Sequence, residues 1–204
     1  MIRGELMGLN SSFVNDLLLK EVLLEKNSVK DIDASPCIAD PNRIKYTAKI
    51  GRNLDDVLPV LFLATLNSRL TRDPVMLSFT TQQHNFLLGE KGGLAVTFVK
   101  DKEEIQYIND KVIELINKAI KYRLTNHMNL EKFIEKKKKI TPLSLYDILP
   151  KTDCRACSEN TCFNYAAKIL TGEARLDACP YLEHGVIRRF VTPVNLAWSL
   201  DLSS

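Results

Sequence analysis

Apolar and polar residues alternate along much of this chain, and the period changes from stretch to stretch. In residues 43–50, Ile44, Tyr46, Ala48 and Ile50 share one face, and Arg43, Lys45, Thr47 and Lys49 share the other. A period of two is the mark of a half-buried strand. Residues 76–80, 85–88 and 94–100 read as three further short strands, with turns at 82–84 and 89–93. Elsewhere the period is helical. Phe13, Leu17, Leu18, Val22 and Leu24 mark a first helix that Ser11 or Ser12 can cap and that runs to about Lys26. Asp55 or Asp56 can cap a second helix reaching about Asn67, with Pro59 in the first turn, where a missing N–H costs little. Asp101 caps the longest helix, whose buried stripe is Ile105, Ile108, Val112, Leu115, Ile116, Ala119 and Ile120, and which ends near residues 123–126. Residues 31–42, with Pro36 and Pro41, read as a loop.

The order helix, strand, helix, three strands, helix predicts an α+β fold, an antiparallel sheet covered by helices on one face. That domain spans residues 1–135. A linker at 136–149 holds a run of lysines at 136–139 and then Pro142. A small, mostly helical module with a C-terminal tail follows at 150–204. No internal repeat is visible.

Composition narrows the functions. The chain has 204 residues, 45% hydrophobic and 26% charged, which is ordinary for a globular protein. A net charge of +3 gives little support to nucleic-acid binding. Residues 150–204 hold six Lys+Arg and six Asp+Glu, so the positive excess lies before residue 150. The longest apolar stretch, 57–66, is about half the ~20 residues of a membrane span, and the N-terminus does not read as a signal peptide, so a cytoplasmic protein is expected. Phosphate loops, Ser/His/Asp arrangements and dinucleotide fingerprints are not visible.

The chemistry concentrates in the cysteines. There are five, an odd number that argues against a disulfide framework. Four follow the spacing Cys154-x2-Cys157-x4-Cys162-x16-Cys179, with Pro180 directly after. One [4Fe–4S] cluster needs four converging thiolates. Cys154 and Cys157 can reach adjacent corners from one tight loop. Thr161 or Asn160 can cap a helix starting near Cys162, with Phe163, Ala166, Ala167 and Leu170 as its apolar face and Gly172 at its C-terminal stop. A thiolate at a helix N-terminus gains from the free N–H groups and the dipole. The chain then turns at Thr171-Gly172 and returns Cys179 to the fourth corner. The competing reading is a structural zinc site, but zinc modules usually present two tight cysteine pairs, and here the third and fourth cysteines stand far apart. The radical-SAM spacing and the two-cluster ferredoxin run are both absent.

From Leu149-Pro150-Lys151-Thr152-Asp153-Cys154 through Cys179-Pro180 the segment resembles a [4Fe–4S] module known in three settings. These are the corrinoid iron–sulfur protein large subunit, the Rnf complex B subunit, and a group of poorly characterised anaerobe iron–sulfur proteins. Phe163, Ala166, Gly172 and Glu173 match the pattern those families share. Residues 43–123 also resemble the domain preceding the cluster in the third group, through Leu58-Pro59 and Leu77-Ser78-Phe79. Family members commonly carry Gly after the first or second cysteine, where this chain has Arg155 and Ser158. If either position needs φ > 0, the loop is strained. The resemblance implies low-potential electron transfer in an anaerobe with a protein redox partner such as a corrinoid protein or another metalloenzyme. The alternative is a structural or sensing module attached to a partner-binding domain. An enzyme using an open iron ranks last, because all four corners have cysteine ligands.

The remaining candidates have plainer readings. Cys37 reads as a free thiol, with an accessory ligand as the sharper alternative. His184 could tune the cluster, though a surface His is the simpler reading. His84 and His127 show no partner pattern. The lysines at 136–139 read as a solvated face, with a docking patch for an acidic partner or RNA as the alternative. Tyr165, Tyr181 and Trp198 read as core residues rather than an electron path.

Overall fold

The computed structural model describes residues 28–34, 42–81, 83–126, 129–183 and 185–196. The helix expected at 11–26, Cys37, His127, His184 and Trp198 lie outside them. The described chain runs β1 (Lys30–Ala34), β2 (Ile44–Lys49), α1 (Leu58–Ala64), β3 (Ser68–Arg72), β4 (Val75–Thr80), β5 (Asn85–Gly89), β6 (Gly93–Val99) and α2 (Lys102–Thr125). After these come α3 (Leu130–Lys138), α4 (Pro142–Tyr146), α5 (Cys162–Thr171) and α6 (Val186–Val191). The fold is α+β, as the residue pattern predicts.

All six strands form one antiparallel sheet in the order β1-β2-β6-β5-β4-β3. Period-two alternation puts Tyr46, Ala48, Leu77, Phe79, Phe86, Leu88, Leu94 and Val96 on one face, where α1 and α2 cover them. Phe79 and Phe86 stack across β4 and β5 with centroids 4.7 Å apart. The register of β2 against β6 slips between Ile44 and Tyr46, opposite Phe98 at φ 67°, so an inserted residue bends the sheet there. Gly92 lies at φ +81°, and a Cβ on it would stand 2.4 Å from the Ile50 carbonyl oxygen and 2.6 Å from that of Arg52. Only glycine fits that turn.

The long helix α2 follows its sequence pattern closely. Asp101 accepts the Glu104 amide as N-cap, and all seven predicted stripe residues are buried. Each such side chain contributes roughly 1.5–3 kcal/mol when fully buried. Two edge strands depart from expectation. β1 falls within residues read as a loop, and β3 follows directly on the shorter helix α1, which begins at Leu58 without a side-chain cap. Pro59 does sit in its first turn. The stretch containing the lysine run folds into α3 and α4, with Asn129 and Thr141 as N-caps.

A second apolar cluster holds the C-terminal module. It consists of Leu145, Leu149, Cys162, Tyr165, Ala166, Ile169, Cys179, Ile187 and Val191. The chain then returns to the first core, where Val194 and Leu196 are buried and the Val194 amide donates to Leu63 O at 3.4 Å.

Candidate metal centre

The site is built on one loop, one helix N-terminus and one returning strand of coil. In the loop, Lys151 (φ 56°), Asp153 (47°), Arg155 (61°) and Ser158 (68°) lie in left-handed backbone, while residues 152 and 154 between them do not. Left-handed residues this closely spaced fold the chain into a tight, irregular loop. Ser158 N–H closes on Arg155 O at 3.0 Å, so Cys157 sits inside a tight turn. Arg155 and Ser158, the two positions where the resemblance leads one to expect glycine, therefore both have positive φ. For non-glycine residues this conformation costs roughly 1–2 kcal/mol each.

Cys154 is exposed at the outer side of this loop. Its thiol is held below the ordinary value, first by the Ala156 amide and then by the Thr152 hydroxyl, both of which donate to the sulfur. Hydrogen bonds to the charged form favour the thiolate, the state in which sulfur binds iron.

Cys162 opens α5, as its spacing predicts. Thr161 is the N-cap, accepting the Asn164 amide at 3.0 Å, and Gly172 ends the helix in left-handed conformation at φ 79°. Asp153 accepts the Cys162 amide at 2.6 Å, which ties the cysteine loop to the helix. The first turn is thus partly used up: the Cys162 amide goes to Asp153 and the Tyr165 amide to Thr161 O. The buried face of α5 differs from the expected one. Cys162, Tyr165, Ala166 and Ile169 face inward, whereas Phe163 is 47% exposed. Tyr181, read as core, is 64% exposed, while Tyr165 is buried as expected.

Tyr165 stands at the centre of the site. Its hydroxyl donates to Arg175 O at 2.8 Å and so holds the returning segment that carries Cys179. Burial is the first cause that pushes its phenol up to about 12; the Cys179 backbone works against that, while the charges of the Cys179 and Cys157 sulfurs add to it. Two of the cysteines are therefore within electrostatic reach of one ring. Cys157 packs against the same apolar cluster that contains Cys162 and Cys179. Lys168 and Glu159 close the opposite side with an ion pair at 2.8 Å.

The structure thus gathers Cys157, Cys162 and Cys179 around one small core and puts Cys154 at its rim. The four described cysteines are free thiols. Among the described residues no three His, Cys, Asp or Glu lie close enough to hold a single metal ion. A zinc ion draws its sulfurs to about 2.3 Å from one point; a four-iron cluster takes one thiolate on each iron. The donor set, four free thiols carried on one loop, one helix N-terminus and one returning segment, fits the chemistry of an iron–sulfur group. Sequence reasoning missed Asp153 and Tyr165. The adjacency of Asp153 to Cys154, and the helical i+3 spacing of Tyr165 from Cys162, are the signals that point to them.

Residues 149–181 match the model of a family described as "Putative Fe-S cluster". The segment that holds all four cysteines therefore carries the pattern of an iron–sulfur family. A stretch of 45 residues is 44% identical to the acetyl-CoA decarbonylase/synthase complex subunit gamma of Methanocaldococcus jannaschii, covering 22% of this chain and 9% of that protein. A stretch of 43 residues is 42% identical to the corrinoid/iron-sulfur protein large subunit of Moorella thermoacetica, covering 21% of this chain and 10% of that protein. The chain thus spans about a tenth of the length of these curated relatives. No solved structure matches the chain. No helix among the described residues is long and apolar enough to cross a membrane.

Proposed function

We propose that the module binds one [4Fe–4S] cluster through Cys154, Cys157, Cys162 and Cys179, and that the protein passes single electrons to or from a protein partner. The observation that carries this reading is the arrangement of the cysteines: three share one small core and the fourth lies exposed on a loop whose Ala156 amide and Thr152 hydroxyl favour its thiolate, all within the family-matched segment. The bound cluster would supply a site that takes up and releases one electron. The chain's own residues do the rest. Ala156 N–H and Thr152 hydroxyl stabilise the Cys154 sulfur, Asp153 fixes the loop on α5, and Tyr165 holds the returning segment in place. Burial of Cys162 and Cys179 keeps water from that side, while exposed Cys154 leaves a short path to the surface.

A partner surface adjoins that path. Leu143 is 61% exposed, and exposed Phe163 meets Tyr146 edge-on at 5.8 Å, with the Lys151 ammonium 5.0 Å above the Tyr146 ring. The relatives' names, an acetyl-CoA decarbonylase/synthase complex subunit and a corrinoid/iron-sulfur protein, support a corrinoid protein or another metalloenzyme as the partner.

A second reading has its own support. Cys162 and Cys179 belong to the module's small core, so a cluster there would also act as a structural pin. One experiment separates the readings: anaerobic purification, iron and sulfide analysis, and electron paramagnetic resonance before and after dithionite. About four irons and four sulfides with a reducible cubane signal support electron transfer. A full cluster that stays silent under dithionite moves the function to the structural role. Zinc, or no iron after reconstitution, overturns the site.

A further inference from the structure

The lysine run divides in an unexpected way. Lys136, Lys138 and Lys139 are exposed, but Lys137 turns inward, and its Nζ donates to Phe62 O and Thr65 O at the end of α1. The same ammonium lies 4.8 Å over the Phe62 ring. It lines a cleft of about 300 Å³ between the sheet domain and the cysteine module. Leu66 and Leu70 form one wall, and Ile140, Leu170 and Val191 the other. Asn67 Nδ2 bridges the two sides by donating to Thr171 O at 3.1 Å.

We propose that this cleft binds a small organic carboxylate, with its charge on Arg69 and Lys137 and its apolar body between Leu66, Leu70 and Leu170. The charge of the lining sets the class of ligand. Three cations line the cleft and no carboxylate does. The surrounding pairs sharpen this. Arg72, three residues from Arg69 on the same edge strand, meets Glu131 at 2.7 Å, and Lys138 meets Glu135 at 3.3 Å. Arg69 has no carboxylate partner among the described residues, and its fixed fork is suited to a carboxylate. The volume lies at the small end of ligand sites, which run from roughly 300 to 1,000 Å³.

Lys137 already has a structural task, since two of its three N–H groups satisfy carbonyls in the last turn of α1. The third is unspent. Burial pushes its amine down to about 7. An anion beside it restores the ammonium, so the cleft gains from occupation where an empty apolar wall does not. The ligand would also touch the cysteine module directly. Leu170 lies on α5, the helix that Cys162 opens. Binding in the cleft therefore presses on the element that positions a cysteine.

Calorimetry on the full chain, cluster-loaded and in low salt, tests this with hexanoate as probe and hexanamide as its neutral counterpart. Hexanoate is expected to bind at about millimolar concentration or below, and hexanamide about tenfold more weakly or worse. Arg69→Gln is expected to weaken hexanoate by about tenfold, whereas Arg72→Gln, a neighbouring cation outside the cleft, leaves it unchanged. Lys137→Met is expected to weaken it as well. Because Lys137 also supports α1, the decision rests on the exposed Arg69. No heat with hexanoate, equal binding of hexanamide, or equal loss in Arg69→Gln and Arg72→Gln would overturn the proposal.

Discussion

The two cores of this protein are built on different principles. Among the described residues the sheet core contains 27 buried apolar residues, drawn from four strands or their flanks and from three helices and the C-terminal tail. The module core contains nine, and two of those are cysteines. The sheet core has long periodic stripes, interrupted at the bulge opposite Phe98. The module's cysteine loop instead carries four non-glycine residues at positive φ between 151 and 158. A core of 27 residues offsets the conformational entropy of its own chain. A core of nine with a strained loop does not, and small units of that kind rely on metals or cross-links. The difference teaches that the module's residues are arranged for a cofactor that completes them, while the sheet core is filled by side chains from its own strands and helices.

The largest effect expected from this contrast follows removal of the proposed cluster. Chelation under oxidising conditions is expected to abolish hydrogen-exchange protection in α4, α5 and α6 while β2, β6 and α2 keep theirs. Metal binding and folding are one equilibrium in such modules, so the loss is expected to amount to several kcal/mol of local stability. Single Cys162→Ser or Cys179→Ser variants are expected to show the same split, because each removes a core residue and a ligand together. Protection that survives in α5 after iron is gone would show that the nine-residue core stands alone.

A smaller test uses the polar exception inside the sheet core. The His84 side chain is 0% exposed, neither ring nitrogen has a well-formed hydrogen bond among the described residues, and Glu104 Oε2 lies 3.5 Å from Nε2. Burial is the main force holding its imidazole below the ordinary value; Glu104 works against that and Arg43 with it. The unfolded chain, with a His near 6.5, then takes up the proton first as pH falls. Stability of the sheet domain is therefore expected to drop as pH is lowered from about 6.5 through the folded-state value. His84→Leu should flatten that limb. The readout is exchange protection in β4, β5 and α2, which separates this effect from acid loss of a cluster in the module. An unchanged slope in His84→Leu would assign the acid limb to other groups.

What could be read from the residues also divides along the two cores. α2 was legible because a seven-residue stripe and an Asp101 cap agree over 24 residues. β1 and β3 were not, because they lie at the sheet edges. In Lys30-Asp-Ile-Asp-Ala and Ser68-Arg-Leu-Thr-Arg a single large apolar residue each leaves no alternation to detect, and edge strands carry charge to discourage further pairing. In α5 ten residues admit two apolar stripes. Counting Cys162 as a buried residue selects the one through Tyr165, Ala166 and Ile169, which leaves Phe163 outside. The cysteine spacing was legible because the four residues are few and chemically distinct. The cleft was not, since Arg69 and Lys137 lie far apart in sequence and only the packing of α3 against α1 brings them together.

The subtlest expectation returns to the strained loop, where the two cores differ most. Arg155 and Ser158 hold φ 61° and 68°, in the region that glycine enters freely. Relief of left-handed strain contributes roughly 1–2 kcal/mol per position, and the added freedom of glycine in the unfolded chain takes back roughly 0.5–1 kcal/mol. Arg155→Gly and Ser158→Gly are therefore each expected to stabilise the module by about 1 kcal/mol or less, read as slower loss of iron under a fixed chelator concentration. The two sites also differ from one another. Arg155 O accepts the Ser158 amide, so either glycine keeps that backbone bond, but Arg155→Gly also removes a positive charge beside Cys154. If that charge helps hold an anionic site, Arg155→Gly should gain less than Ser158→Gly, and the gap should close as salt is raised. Faster iron loss in both variants would mean that the left-handed residues stabilise the loop through their side chains, and that the module is less strained than its backbone implies.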